Sequence, residues 1–267
     1  MKQNNISRER KQYLQAVKRR KTFILATQLI LLAAIFLIWE IAANMRLIDP
    51  FITSQPSRML ATMQMLHQNG SLYVHIGTTV WETVIGFTLG TIGGLIIAII
   101  LWWSDFLSKV LEPYLVILNA LPKVAIGPIL IVWLGNGQAA IITMALLISI
   151  IVSIITMLHG FLSVDKEKIQ LLKSFGANKL CVLKKVVLPA SMPNSISALK
   201  VNVGLSWVGV IMGEFLVSKA GLGYLIVYGS QVFKLDLVMT SVILLIVAAT
   251  VMYLLVAYLE KKLIRWQ

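Results

Sequence analysis

The sequence predicts an all-α, polytopic membrane protein with six transmembrane helices, and three observations carry that expectation. Hydrophobic residues make up 58% of the 267 and charged residues only 13%, where a soluble domain has about 45–50% and about 25%. The mean hydropathy of +0.85 excludes an ordinary water-soluble domain and equally excludes disorder, which requires low hydrophobicity. Six stretches are long enough to cross the hydrocarbon core, which takes about 20 apolar residues in a helix. The single cysteine, Cys181, excludes a disulfide scaffold and a Cys-rich zinc site.

The first stretch, Thr22–Ala43, follows a basic segment and ends on small residues, as a signal peptide would. Its apolar run exceeds the 7–15 residues of a signal core, so an uncleaved span is expected. The second, Ile76–Trp103, is long enough to tilt or to extend past the bilayer. It carries Gly86, Gly90 and Gly94 four residues apart, a face on which helices approach closely. Pro122 and Pro128 interrupt the third, Leu111–Leu134. The fourth is Ala139–Gly160. The fifth, Asn194–Val217, carries a second small face at Gly209 and Gly213, and the sixth is Leu237–Leu259.

Basic residues orient the spans. Segment 1–21 holds Lys2, Arg8, Arg10, Lys11, Lys18, Arg19, Arg20 and Lys21. Lys109 follows span two; Lys166, Lys168, Lys173, Lys179, Lys184 and Lys185 follow span four. Lys261, Lys262 and Arg265 close the chain. In a six-span arrangement 18 of the 24 Lys and Arg fall on one side. The opposite loops, Asn44–His75 and Ser218–Asp236, hold only Arg46, Arg58, Lys219 and Lys234. Both termini are therefore expected in the cytoplasm. The net charge of +13 sits in short stubs beside spans, where anionic membrane lipid accounts for it and nucleic acid is not required.

Catalytic patterns are missing. There is no G-x-x-x-x-G-K-[ST] phosphate loop. Gly221-Leu222-Gly223 lacks the third glycine and strand context of a dinucleotide fingerprint. His67, His75 and His159 have no metal-binding spacing, and Cys181 has no His or acid partner in its own segment. No catalytic residue, metal or resident cofactor is expected.

The longest cytoplasmic segment, Phe161–Pro193, is too polar to span and too apolar to be disordered. Ile169, Leu172 and Phe175 recur at helical spacing. Gly176 stands where a helix C-cap would, and Asn178 can cap a second helix in which Leu180, Leu183 and Val187 share a face. Leu188-Pro189 is expected to close that helix, because proline lacks a donor. Two short amphipathic helices joined at a glycine corner follow.

Gln170-Leu171-Leu172-x3-Gly176-x9-Val186-x-Leu188-Pro189, with Ala177 after the glycine, resembles the EAA loop of ABC transporter permeases. Gly176, Val186 and Leu188-Pro189 match, whereas Gln170-Leu171-Leu172 departs from Glu-Ala-Ala. The resemblance runs from about Pro56 to Trp266. It includes Gln55-Pro56-Ser57, Leu121-Pro122-Lys123, Pro128–Gly135, Gly213-Glu214-Phe215-Leu216, Ala220–Ile226 and Glu260–Trp266. These blocks are similar to the nitrate/sulfonate/taurine-type permeases, within the binding-protein-dependent type I importers. The resemblance implies a type I ABC importer (MetI-like) transmembrane domain over residues 71–259, with a coupling loop at 161–193. Residues 1–21 and 260–267 are then cytoplasmic tails, and 22–70 holds the first span and an external amphipathic segment. It further implies a permease homodimer, two ATPase subunits that bind the ATP, and an external substrate-binding protein.

Ionisable or polar residues inside spans are expensive and point to function. Lys123 lies half-way along span three, where it could draw an anionic or polar solute, or be held by backbone carbonyls at a kink. Asn119, Asn202, Trp207 and Glu214 are further pathway candidates, each with a helix-packing or rim alternative. Lys200 is expected to snorkel, and Glu40 and Glu82 to face water near the outer span ends. A secondary transporter remains the alternative, although no inverted repeat is visible and the carboxylates lie towards span ends.

Overall fold

A computed structural model describes residues 8–263, and every regular element among them is helical. Lys2, Arg265 and Trp266 lie outside the described residues, as do the side chains of Arg8, Lys11 and Lys261. The chain runs α1 (Arg8–Asn44), α2 (Pro50–Thr53), α3 (Pro56–Gln68), α4 (Ser71–Trp103) and α5 (Asp105–Ala120). A 3₁₀ turn over Lys123–Ile126 leads into α6 (Gly127–Leu134), α7 (Gln138–Leu162), α8 (Lys166–Ser174) and α9 (Lys179–Val182). A π turn over Leu183–Val187 precedes α10 (Leu188–Val217), α11 (Leu222–Gln231) and α12 (Leu235–Leu263). Five helices are long and apolar enough to cross a membrane, and α5 with the 3₁₀–α6 unit supplies a sixth, bent by 85°. Five of the six expected spans are continuous helices, and the third corresponds to the bent α5–α6 pair. α1 starts upstream of Thr22, so the basic stretch before it prolongs the same helix.

The core is α7, held between α4 and α10. In lipid no hydrophobic force joins apolar helices, so close contact needs small residues. Gly86, Gly90 and Gly94 of α4 lie against Ala145, Ser149 and Ser153 of α7. Both series advance by four, so the two helices run parallel and in register. Gly209 and Gly213 of α10 lie against Ala145 and Ile141, in the antiparallel sense. Both glycine stripes expected to pack therefore do so, and on one helix. Asn202 of α10 donates to Ser153 Oγ and, at 3.4 Å, to Thr91 Oγ1 of α4. A polar bridge thus joins the three helices. α1 turns nearly all of its apolar residues outward, with Ile30 68% and Phe23 72% exposed, as a lipid-facing helix does.

Span three is interrupted at Pro122, as expected, whereas Pro189 acts differently from expectation. Leu121 is extended at φ −61, ψ 132, the region into which a following proline forces its neighbour. Pro122 cannot continue the ladder, and α6 restarts with Pro128 in its first turn, where no donor is needed. Leu188-Pro189 does not close a helix. Pro189 occupies the first turn of α10, and the preceding π turn re-registers the ladder so that α9 runs into α10 without a break. The segment outside the spans is therefore shorter than Phe161–Pro193, since α7 continues to Leu162 and α10 begins at Leu188. In the stretch Ser218–Asp236, α11 is a further helix that the sequence pattern did not announce.

The α7–α10 contact can be tested within one helix. A Cβ on Gly209 would stand 2.5 Å from Ala145 Cα and 3.0 Å from Ala145 N, whereas one on Gly204 meets nothing within 4 Å. Backbone cannot yield as a side chain can, so Gly209→Ala should destabilise by about 1–3 kcal/mol. Gly204→Ala should be neutral or stabilising by up to about 1 kcal/mol. Thermal unfolding of the two variants in detergent micelles checks the difference.

Candidate functional site

At one end of the bundle α8 and α9 form a knob. Asp165 caps α8 by accepting from Glu167 N at 2.9 Å. The helix stops in a Schellman turn, in which Gly176 N donates to Lys173 O at 2.9 Å and Ala177 N to Leu172 O at 3.1 Å. Gly176 has φ +79, a conformation that glycine adopts without strain. Asn178 Oδ1 then accepts from Cys181 N at 2.8 Å and starts α9. The glycine corner and both caps are as expected. Ile169, Leu172 and Ala177 face inward, with Val186 and Leu188, onto a core of Leu101, Leu158, Phe161 and Val187. Phe175 and Leu180 depart from the expected buried faces. With Leu171 they stand 79%, 46% and 58% exposed, next to Gln170 and Gly176, which are also exposed.

Beside this apolar contact, Lys179 ties the knob to the end of α4 by a polar one. Lys179 Nζ donates to the carbonyl of Trp103 at 2.6 Å and stands 5.6 and 5.7 Å from the Trp102 and Trp103 ring centroids. Trp103 ends α4, so the ammonium caps an orphan carbonyl at the negative end of the helix dipole. The cysteine beside it, Cys181, is free and half-buried.

The structure separates the pathway candidates. Lys123 sits in the 3₁₀ turn at the bend of span three, the kink alternative, where its Nζ donates to Asn119 O at 3.1 Å. This is a carbonyl that the broken ladder sets free, and Asn119 itself is exposed. Asn202 and Trp207 are 0% and 6% exposed; Asn202 makes the three-helix bridge, and Trp207 packs with Val203 of α10 and Val256 of α12. Lys200 snorkels only as far as Glu260 of α12, with which it pairs at 2.6 Å. Among the described residues no group of His, Cys, Asp or Glu is arranged to hold a metal.

Two carboxylates were misjudged from the sequence. Glu40 does lie at a helix end, half-buried, and accepts from Ser57 N at 3.0 Å and Ser57 Oγ at 2.8 Å at the start of α3. Glu82 does not face water: it is 0% exposed. Glu214 is 2% exposed rather than at a rim. Its Oε2 accepts from Gly223 N at 2.6 Å and Tyr224 N at 3.3 Å, the first turn of α11. This explains Gly221-Leu222-Gly223, because a Cβ at Gly221 or Gly223 would collide with that carboxylate. A signal for Glu82 existed: it precedes Gly86 by four residues and so lies on the buried stripe of α4.

The described residues thus form a bundle of broken and close-packed spans with a capped knob at one end. Residues 90–265 match the family described as binding-protein-dependent transport system inner membrane component. A probable ABC transporter permease protein of Haemophilus influenzae is 30% identical over 88% of this chain and 96% of its own length. The aliphatic sulfonates permease SsuC of Bacillus subtilis is 26% identical over 90% of this chain and 87% of its own. Among solved structures, the MetNI methionine ABC transporter covers 76% of this chain and 97% of its own, with TM-score 0.61 at 18% identity, and so shares the fold. The chain belongs to this family: it is a multi-pass inner-membrane permease subunit of an ABC importer. Members work with an ATPase and a substrate-binding protein.

Loss of the Lys179 contacts should loosen the knob without unfolding it. Lys179→Met is expected to raise amide hydrogen exchange across 165–182 while leaving α7 protected, and Lys179→Arg should restore protection. Exchange mass spectrometry of the three proteins reads this directly.

Proposed function

We propose that two copies of this chain form the pathway for a small polar or anionic solute, and that the α8–α9 knob receives the stroke of an ATPase subunit, which binds the ATP. The observation that carries the reading is the knob itself. A chain without a phosphate-binding loop presents a stiff, doubly capped helix pair whose exposed Leu171, Phe175 and Leu180 need cover, in a family that works with a separate ATPase. The knob is then cytoplasmic with both termini, and the α2–α3 and α11 end faces the substrate-binding protein. The asymmetry of the basic residues supports that orientation.

The solute class rests on less. Relatives are named for aliphatic sulfonates, for taurine and for riboflavin, which argues for a sulfonate-like anion or a vitamin precursor. Lys123, half-exposed at the bend of span three, suits an anion. Exposed apolar faces on α5 and α6, where Val132 and Trp133 are 82% and 75% exposed, suit a second permease chain or lipid.

Gly176 separates fold from coupling. A Cβ there meets nothing within 4 Å in this chain, so Gly176→Ala costs only the strain of φ > 0, about 1 kcal/mol. Aspartate tolerates that region better than alanine. If Gly176→Asp impairs transport more than Gly176→Ala, the excess therefore comes from a partner. We expect Gly176→Asp to abolish uptake and weaken ATPase pull-down at normal membrane level, and Gly176→Ala to be mild. Full uptake by Gly176→Asp would remove the knob from coupling.

Two further measurements bear on orientation and solute. In a Cys181→Ser background, an impermeant thiol reagent applied outside should label Ser71→Cys and spare Ser163→Cys; the reverse result inverts the protein. Lys123→Gln should lower uptake with ATPase association intact, and unchanged uptake kinetics would leave Lys123 a kink residue.

A further inference from the structure

At the end of the bundle remote from the knob, Glu82 of α4 and Glu214 of α10 bring their carboxyl groups within hydrogen-bonding range of each other. Both residues are sealed from solvent, at 0% and 2% exposure. Neither oxygen of Glu82 and not Oε1 of Glu214 has a donor among the described residues. No ion pair within 4 Å reaches either group there. Two bare carboxylates in that setting repel each other and forgo hydration, a cost of several kcal/mol per ion. A proton placed between them removes one charge and supplies the missing donor. Paired carboxyl groups in a shared site behave in this way.

The pair stands at a junction. Glu214 Oε2 holds the first turn of α11 through Gly223 and Tyr224. Thr79, one turn before Glu82, accepts from Leu222 N at 2.7 Å. His75 Nδ1, one turn earlier, accepts from Gly221 N at 3.0 Å. Two consecutive turns of α4 therefore grip the start of α11, and Glu82 on the next turn adds the link to α10. Glu82 also forms part of the wall of a pocket of about 210 Å³ with Thr78, Asn136, Gln138, Ser218 and Lys219. Water has a route to the pair if α4 moves away. The titratable groups around it are His75 from α4, bound to Gly221, Tyr224 from α11, whose backbone N donates to Glu214, and Lys219 from the loop after α10; α7 contributes Gln138 and Ile141 to the pocket and no titratable group.

We propose that Glu82 and Glu214 share one proton and form a latch that closes this end of the bundle. Parting α4 from α10 and α11 breaks the acid O–H bond. The proton passes to water entering the Asn136–Lys219 pocket, and two hydrated carboxylates remain. The closed state holds one proton more than the open state, so opening is favoured as pH rises on that side. The inference rests on the import reading only for the name of the motion; the shared proton stands on the burial of both groups and on their oxygens that lack a donor.

The test uses the permease–ATPase assembly in lipid nanodiscs. Infrared spectra at neutral pH in the closed resting state should show the carbonyl stretch of a buried protonated carboxylic acid. Glu82→Gln should remove it, since the glutamine amide can donate to Glu214 in its place. Trapping the assembly with the remote end open should abolish the band in the native protein and release one proton per permease chain to a pH-indicator dye. The dye measurement needs no variant, so it decides the matter even if Glu82→Gln does not assemble. No band in the closed state, or a band unchanged by Glu82→Gln, overturns the shared proton. A band that persists on opening, or no proton released, overturns the latch. The closed-state spectrum needs no solute, so failure of uptake leaves it readable, and failure of the latch leaves the importer reading intact.

Discussion

The backbones of α4 and α10 approach α7 at distances that their glycines permit, and the rest of the structure depends on that contact. Lipid supplies no hydrophobic force between helices, so the spans hold together by close packing and by internal polar contacts. Ala145 lies against Gly86 on one side and Gly209 on the other. With the backbones this near, Asn202 reaches both Ser153 and Thr91, and Glu82 reaches Glu214. Larger side chains on either stripe would spread the helices and strand these polar groups in a medium that cannot solvate them.

The same arrangement gives the molecule a mechanical axis. α4 is about 50 Å long at 1.5 Å per residue. Its last residue accepts the Lys179 ammonium from the knob, and its first turns hold α11 through His75 and Thr79. α10 provides a second line, since α9 runs into it through the π turn. Both rods connect the knob to the part of the bundle that holds Glu82 and Glu214. The two rods are packed on α7, which fixes their spacing along the way.

Features set by local chemistry were legible in the sequence. The caps at Gly176 and Asn178 follow from side chains a few residues apart, and the span count follows from hydropathy. Glycine stripes were legible as faces, though not as faces of the same partner. What escaped needed a partner distant in the chain or an irregular backbone. Phe175 has helical spacing with Ile169 and Leu172, yet the Schellman turn swings it outward. Glu82 has the hydropathy of a surface residue, and its burial becomes evident only once Gly86 is known to face α7. Pro189 reads as a stop unless the π turn before it is seen, and a π turn has no sequence signature. For Lys123 the sequence left a pathway role and a kink role open, because the prolines mark a break without giving its angle.

The broken third span bears on how the protein enters its membrane. α6 has eight residues and rises about 12 Å, well short of a hydrocarbon core of about 30 Å. α5 has sixteen residues with Asp105, Lys109, Glu112 and Pro113 among them. Neither piece can leave the translocon and dwell in lipid alone, because the bend exposes unpaired backbone groups that hydrocarbon cannot satisfy. Gly127 rests against Met144 of α7 and Leu216 of α10, so the shelter for the bend is made by helices synthesised later. The ribosome must deliver α7 and α10 before the segment ahead of them has a stable place, and topogenesis here is completed out of chain order.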